Sequence, residues 1–384
     1  MNSGANPDVP VIMDIPADVA QRAKSRLQAA WDFPYTYSQF SPAVVLYPRD
    51  GVMPECSIEE RIHNAEADFR CQMAWAEWDL ACLREAGACN IPSLSPYMGV
   101  GVIPSGFGCE IRCIPGEDPW TIPLAIDLSD AAGLRSPCFE GPDAGLAGLV
   151  LDRIDYYSKR TGDSVPVRLT DTQSPMDIAV QIIKDEHILL GMYENPDAVH
   201  VLLRTVAAAL IQFVRLQAER AANFFGHTHQ GIWRHRGIYV SDDMAAVVSP
   251  AFYHEFFVPY NQIVAAQFGG ISIHCCRRYQ QNLDEIAHMD GFMSFDADAS
   301  YNDPEVIAHA LATDTTHSRF RGIWHAWAEN ADEAVEKALF AAARGFGLIL
   351  TVKCGSVTEG AQAVAAVERA TAIDGSASSA GLGS

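Results

Sequence analysis

Gly270-Ile271-Ser272-Ile273-His274-Cys275-Cys276 opens on glycine, runs through a short β-branched stretch and ends in three side chains able to bind a soft metal. The run reads as a strand, and a helical stretch toward His288 follows it. The pattern then repeats with Gly291-Phe-Met-Ser-Phe295 and Asp303-Pro304, a side-chain cap followed by proline at the first helical position. Upstream, Gly237-Ile-Tyr-Val-Ser241 precedes Ser249-Pro250; downstream, Phe320-Arg-Gly-Ile-Trp324 precedes a helix capped by Asn330 and stopped near Gly345. Gly347-Leu-Ile-Leu-Thr-Val352 then runs into Lys353-Cys354. Earlier still, Val167-Arg-Leu-Thr170 reads as a strand followed by a helix from about Pro175, and Asn195-Pro196 opens a long helix toward Phe225. Short strands alternating with helices signal βα units and a parallel sheet. No G-x-G-x-x-G follows a strand and no P-loop motif is present, which removes the dinucleotide and NTPase fingerprints.

The expected fold is α/β, a (β/α)8 TIM barrel over residues 43–372. It follows an N-terminal extension over 1–42, helical from Ala17 to Trp31, and precedes a disordered Gly/Ser/Ala-rich tail over 373–384. Ile62, Ala65, Phe69, Met73, Ala76, Leu80 and Leu83 mark one helix from an N-cap at Ser57 to a stop at Gly87. Residues from Asn90 to Pro123 read as strands and loops.

Hydrophobic residues make up 49% of the 384 and charged residues 20%, so a large core can be buried. The net charge of −21 repels nucleic-acid phosphates and anionic lipid, which argues against both as partners. There is no uncharged apolar stretch of membrane-spanning length and no signal-peptide pattern at the start, so a soluble, cytoplasmic protein is expected. Ten cysteines are too few for a disulfide scaffold and fit reduced thiols, some of them metal ligands.

In such a barrel the active site gathers at the carboxyl ends of the strands. The polar residues there are Asp171, Asp242, Asp243, His274, Cys276, Asp296, Asp298, His325 and Cys354, with Asp298 better read as a cap. Alternation along a strand points His274 and Cys276 to one face and Cys275 to the other. Residues two apart lie about 6.6 Å apart, within the reach of side chains closing on zinc. Cys354, at the end of the last strand, is the third candidate ligand, and three protein ligands leave a fourth position for water or substrate. His227, His229 and His235 are expected before a strand, on the stability face.

With these residues in view, the sequence resembles the uroporphyrinogen decarboxylase superfamily, in particular its zinc-dependent branch of methylcobamide:thiol methyltransferases. The likeness runs roughly from Ala43 to Ala370. It is carried by Ser249-Pro250, Phe257-Val-Pro-Tyr260, Ile273-His-Cys-Cys276, Asp290-Gly-Phe292 and Cys354-Gly355. In that branch an H-x-C and a distant cysteine bind zinc, which here implies His274, Cys276 and Cys354. The decarboxylase branch carries an arginine-rich R-Q-A-G-R segment. The comparable stretch here, Tyr47-Pro-Arg-Asp-Gly-Val-Met-Pro-Glu55, keeps only Arg49.

The resemblance implies methyl transfer to a zinc-activated thiol, with the donor a corrinoid on a separate protein. Asp242, Asp243 and His325 are then candidates for orienting the acceptor or receiving its proton, and Asp171, Asp296 and Arg49 for binding substrate. A metal-free decarboxylase and a catalytically silent binding protein on the same barrel remain alternatives. The oligomeric state is open, a homodimer being admissible.

Overall fold

In the computed structural model the described residues are 9–36, 40–54, 56–114, 118–312 and 322–377. They divide into two compact units. One comprises Met1–Pro16, Pro54–Glu77 and Pro92–Gly231; the other comprises Ala17–Met53, Trp78–Ile91 and Ile232–Ser384.

The second unit is built on a six-stranded parallel sheet. In chain order the strands of the molecule are β1 (Ala43–Pro48), β2 (Glu110–Arg112), β3 (Trp120–Ile122), β4 (Ile238–Ser241), β5 (Ile271–His274), β6 (Phe292–Asp296), β7 (Ile323–Ala328) and β8 (Gly347–Cys354). The sheet order is β1-β8-β7-β6-β5-β4. β1 and β8 begin as nearly continuous apolar runs, as strands buried on both faces do, whereas β5 alternates Ile271-Ser-Ile-His274. All residues of β4 and β6 are buried.

Helices lie between successive strands and start where the sequence signals them. Ser249, Asp303 and Asn330 each accept a backbone N–H of the following first turn, and Gly345 ends its helix at φ 75°. The helix Ala17–Thr36 buries Ala23, Leu27, Ala30 and Trp31, a stripe at helical spacing, and it packs on β1, β7 and β8. Trp31 stacks 4.6 Å from the buried guanidinium of Arg234, whose pKa burial lowers to about 10. One side of β1 pairs with β8. On the other, Asn90 mimics a strand neighbour, accepting from Leu46 N and donating to Leu46 O, both at 2.8 Å.

The first unit is mainly helical. Leu94, Val167 and Phe224 form single parallel bridges, and β2 and β3 make a short antiparallel pair. Among the described residues the helix Pro196–Arg220 is the one long and apolar enough to cross a membrane by length and composition. Val199, Leu202, Val206, Leu210 and Phe213 are fully buried along it, and it packs on the helices Leu146–Thr161 and Pro175–Ile182, as a core helix does. Asp68 is buried at 1% exposure and faces Arg61 at 2.8 Å, Arg153 and the hydroxyl of Tyr157. Burial and that carboxylate hold the Tyr157 phenol well above its usual pKa.

Several expectations change in detail. The α/β, TIM-barrel-like character holds as six hydrogen-bonded parallel strands in one unit and isolated parallel bridges in the other. The Ser57 helix starts as read, with Ser57 accepting from Glu60 N, but breaks at Asn64, whose side chain caps a new start at Ala67 N. It ends in a π-helical turn, Cys82–Ala86, before Gly87. β7 extends to Ala328, so His325 lies inside a strand rather than after one; Phe320 and Arg321 fall outside the described residues. The last helix, Val357–Ala377, takes in the start of the expected tail, and the remainder of that tail lies outside the described residues.

Removing one partner of a buried ion pair strands the others. Asp68→Asn is therefore expected to lower the free energy of unfolding by about 3–5 kcal/mol in urea titrations followed by circular dichroism. Arg22→Ala, which breaks only the exposed pair with Asp18, should leave the midpoint unchanged.

Candidate metal centre

The register of the parallel strands brings residues far apart in sequence into one row. Ser241 of β4 lies beside His274 of β5, His274 beside Asp296 of β6, and Asp296 beside His325 of β7. Neighbours in register share a face, so these side chains point together near the carboxyl edge, where parallel sheets bind ligands. The pairing of β5 with β6 contains a register shift between Ile271 and Ser272, beyond which Ser272 meets Ser294 and His274 meets Asp296. One layer below, Ser294 donates to Ser272 at 2.7 Å, and Arg234 donates to the same hydroxyl at 3.0 Å.

Where β4 and β5 end, three potential ligands converge. The donor atoms of Asp243, His274 and Cys276 all lie within 4.8 Å of one another. Nε2 of His274 is 3.1 Å from Sγ of Cys276, and the Cys276 N–H donates to Oδ1 of Asp243 at 2.8 Å. Ligands on a tetrahedral zinc with bonds of 2.0–2.3 Å sit about 3.3–3.8 Å apart, so one nitrogen, one sulfur and one oxygen gathered here have the chemistry the ion needs and come near its spacing.

Behind His274, Nδ1 is 3.1 Å from Oδ2 of Asp296, close enough for an ion pair although the N–H is off the direct line of a hydrogen bond. Burial acts to lower the pKa of this imidazole, but Asp296 and Cys276 outweigh it and raise it well above the usual value. Asp296 is 1% exposed. It also accepts from the hydroxyl of Tyr239 and, at 3.1 Å, from the indole N–H of Trp327, and its Oδ2 is 3.3 Å from Nδ1 of His325. Burial would raise its pKa, but His325 and His274 hold it well below the carboxylate range. The far nitrogen of His325 meets the hydroxyl of Thr351 at 2.8 Å.

Other residues singled out by sequence lie elsewhere. Asp242, next to Asp243, is fully buried and accepts from Tyr253 at 2.7 Å and Asn261 at 3.1 Å, tying β4 to the helices that follow it. Cys275 is buried with its sulfur 3.9 Å from the carbonyl of Asp243, whereas Cys276 is exposed. Cys354 is outside the three-residue group: its thiol donates to the carbonyl of Tyr47 at 3.8 Å, and burial pushes its pKa up to about 11. Arg49 is paired with Glu359 at 2.6 Å. Asp298 caps a turn by accepting from Ser300 N.

Asp171 belongs to the helical unit, where it accepts from Gln173 and faces His229 at 3.8 Å. His229 does not precede the strand-like segment there. It follows Phe224, which bridges Val167 in parallel, and its Nδ1 accepts from the backbone N–H of Thr172 at 3.2 Å, placing it at the carboxyl end beside Asp171. The expectation of the stability face counts from the Ile238 strand, and the Phe224 segment, a single bridge, precedes that strand. His227 meets Phe224 edge-on, with ring centroids 5.1 Å apart, and His235 pairs with Asp32 at 3.2 Å ahead of β4. Tyr239, Trp327 and Thr351 were not read from the sequence as site residues; the signal lay in their strand parity, since each points to the face carrying His274 and His325.

Comparison with known proteins places this geometry. The family model described as Uroporphyrinogen decarboxylase (URO-D) matches residues 76–314. A uroporphyrinogen decarboxylase of Xylella fastidiosa is 27% identical over 177 residues, covering 44% of this chain and 45% of that protein. One from Xanthomonas oryzae pv. oryzae is 28% identical over 170 residues, 43% of each chain. The matched part thus spans less than half the length of these curated relatives. Among solved structures, a methyltransferase from Methanosarcina mazei superposes with a TM-score of 0.61 at 17% identity, covering 91% of this chain and 98% of that one, a likeness of fold. Because the family model accounts for well over half of the residues, the chain belongs to the uroporphyrinogen decarboxylase (URO-D) family.

Proposed function

We propose that this protein is a zinc-dependent methyltransferase that moves a methyl group from a corrinoid, carried by a separate protein, to a thiol. The observation that carries the reading is the convergence of His274, Cys276 and Asp243 at the carboxyl edge of the sheet. One imidazole, one thiolate and one carboxylate offset the charge of a zinc dication as an imidazole and two thiolates would. A free thiol, with a pKa of about 8.5, is mostly protonated at neutral pH, and what bound zinc supplies is a lowered pKa that makes the thiolate nucleophile available.

The chain's own groups prepare that site. Asp296 orients His274 from behind, and the backbone N–H of Cys276 holds the Asp243 carboxylate in place. His325, 2% exposed and engaged on both nitrogens, supports the site from within rather than meeting solvent. In the overall transfer the carbon–sulfur bond forms as the bond from methyl to corrinoid breaks, the electron pair stays with the corrinoid, and the thiol proton is released.

A metal-free decarboxylase is the second reading, favoured by the names of the curated relatives. Against it stands Arg49, engaged by Glu359 rather than presented to a polycarboxylate.

Metal analysis of the purified protein separates the two. Wild type and Cys275→Ala are expected to carry about one zinc per chain, and His274→Ala and Cys276→Ala to lose most of it. Wild type without zinc but with carboxy-lyase activity would favour the second reading. The third ligand is decided by Asp243→Ala against Cys354→Ala. The geometry expects the loss in the former, and the reverse result assigns the position to Cys354. A second expectation concerns alkylation by iodoacetamide at neutral pH. Cys276 and Cys138 are both exposed and should react in metal-free protein, and adding zinc should protect Cys276 while leaving Cys138 reactive.

A further inference from the structure

The row containing His274 holds a second imidazole, His325, and both turn Nδ1 toward the same oxygen of Asp296, at 3.1 and 3.3 Å. What distinguishes them is the far nitrogen: Nε2 of His274 meets the sulfur of Cys276, and Nε2 of His325 meets the hydroxyl of Thr351. We propose that Asp296 is the positioning residue of the metal centre. Its carboxylate fixes His274 as the tautomer protonated on Nδ1, with Nε2 bare toward Cys276 and Asp243, while Thr351 keeps His325 out of the ligand set. The proposal rests on the reading of His274 and Cys276 as metal ligands.

Three features support it. An imidazole binds a metal through an unprotonated nitrogen, and which nitrogen is bare is set by the acceptor that the other one faces. Asp296 cannot swing away, because Tyr239 holds Oδ2 and Trp327 holds Oδ1. At 1% exposure it lies behind the imidazoles, away from solvent, and is not one of the three converging ligands. That assigns it the supporting role in place of the substrate contact expected from its position at a strand end.

The test uses full-length protein and zinc alone. In metal-free wild type, held at a pH high enough to leave His274 neutral, 15N-edited NMR of the histidine rings, with the His274 signal identified by its loss in His274→Gln, should show the Nδ1–H tautomer. Asp296→Asn should weaken zinc binding 10–100-fold in competition with a chromophoric chelator. It should also shift the His274 signal away from that single tautomer while leaving far-UV circular dichroism unchanged. Wild-type zinc binding with an undiminished affinity in Asp296→Asn overturns the proposal. So does an Nε2–H tautomer for His274 in wild type, a result that does not depend on the variant folding. If wild type binds no zinc, or His274→Ala binds it equally well, the ligand reading fails instead, and the tautomer measurement still judges Asp296 by itself.

Discussion

A carboxylate sealed among two imidazoles, a phenol and an indole is the constraint around which the carboxyl edge of the sheet is arranged. Burying a charge without partners is prohibitively costly, so Asp296 can exist there only while β5, β6 and β7 stay in register. A slip of one residue along β6 would turn Asp296 toward the covering helices and bring Phe295 or Ala297 to the site. The register shift between Ile271 and Ser272 is part of the same constraint, because it aligns Asp296 with His274, while the regular pairing of β6 with β7 aligns it with His325.

Much of this architecture was legible from local chemistry. Glycine-led apolar runs marked β4, β5, β6 and β8, and Ser249, Asp303 and Asn330 announced their helices through caps that depend on neighbouring residues alone. The alternation of His274, Cys275 and Cys276 could be read because a strand has a fixed period of two. β1 was harder, since Ala43–Pro48 has no glycine before it and its partner β8 lies at the far end of the chain.

The parts of the site that escaped reading share a physical reason. Asp242 and Asp243 follow a strand where the chain turns into a short 3₁₀ segment, so period-two reasoning no longer tells which one faces the ligands. Only the tertiary contacts with Tyr253 and Asn261 show that Asp242 is taken. His325 was identified but placed at a strand end, because the strand continues through Trp327, whose aromatic bulk gave no boundary signal. Cys354 shows the reverse case: its position in sequence is that of a ligand, yet its sulfur rests against the carbonyl of Tyr47.

The pairing of β1 with β8 also has a consequence for how the chain is made. Ala43 aligns with Ile349, so β1 finds its strand neighbour only after roughly 300 further residues have been synthesised. Until then Ala43-Val-Val-Leu46, all buried in the finished protein, is an apolar strand with one edge uncovered by its final partner, and on its other side Cys89 and Asn90 reach Val44 and Leu46. Long-range closure of this kind is slow and exposes nascent chains to aggregation. β8 is the last of the six strands in chain order, so the sheet can close on β1 only after every segment of the helical unit has been synthesised.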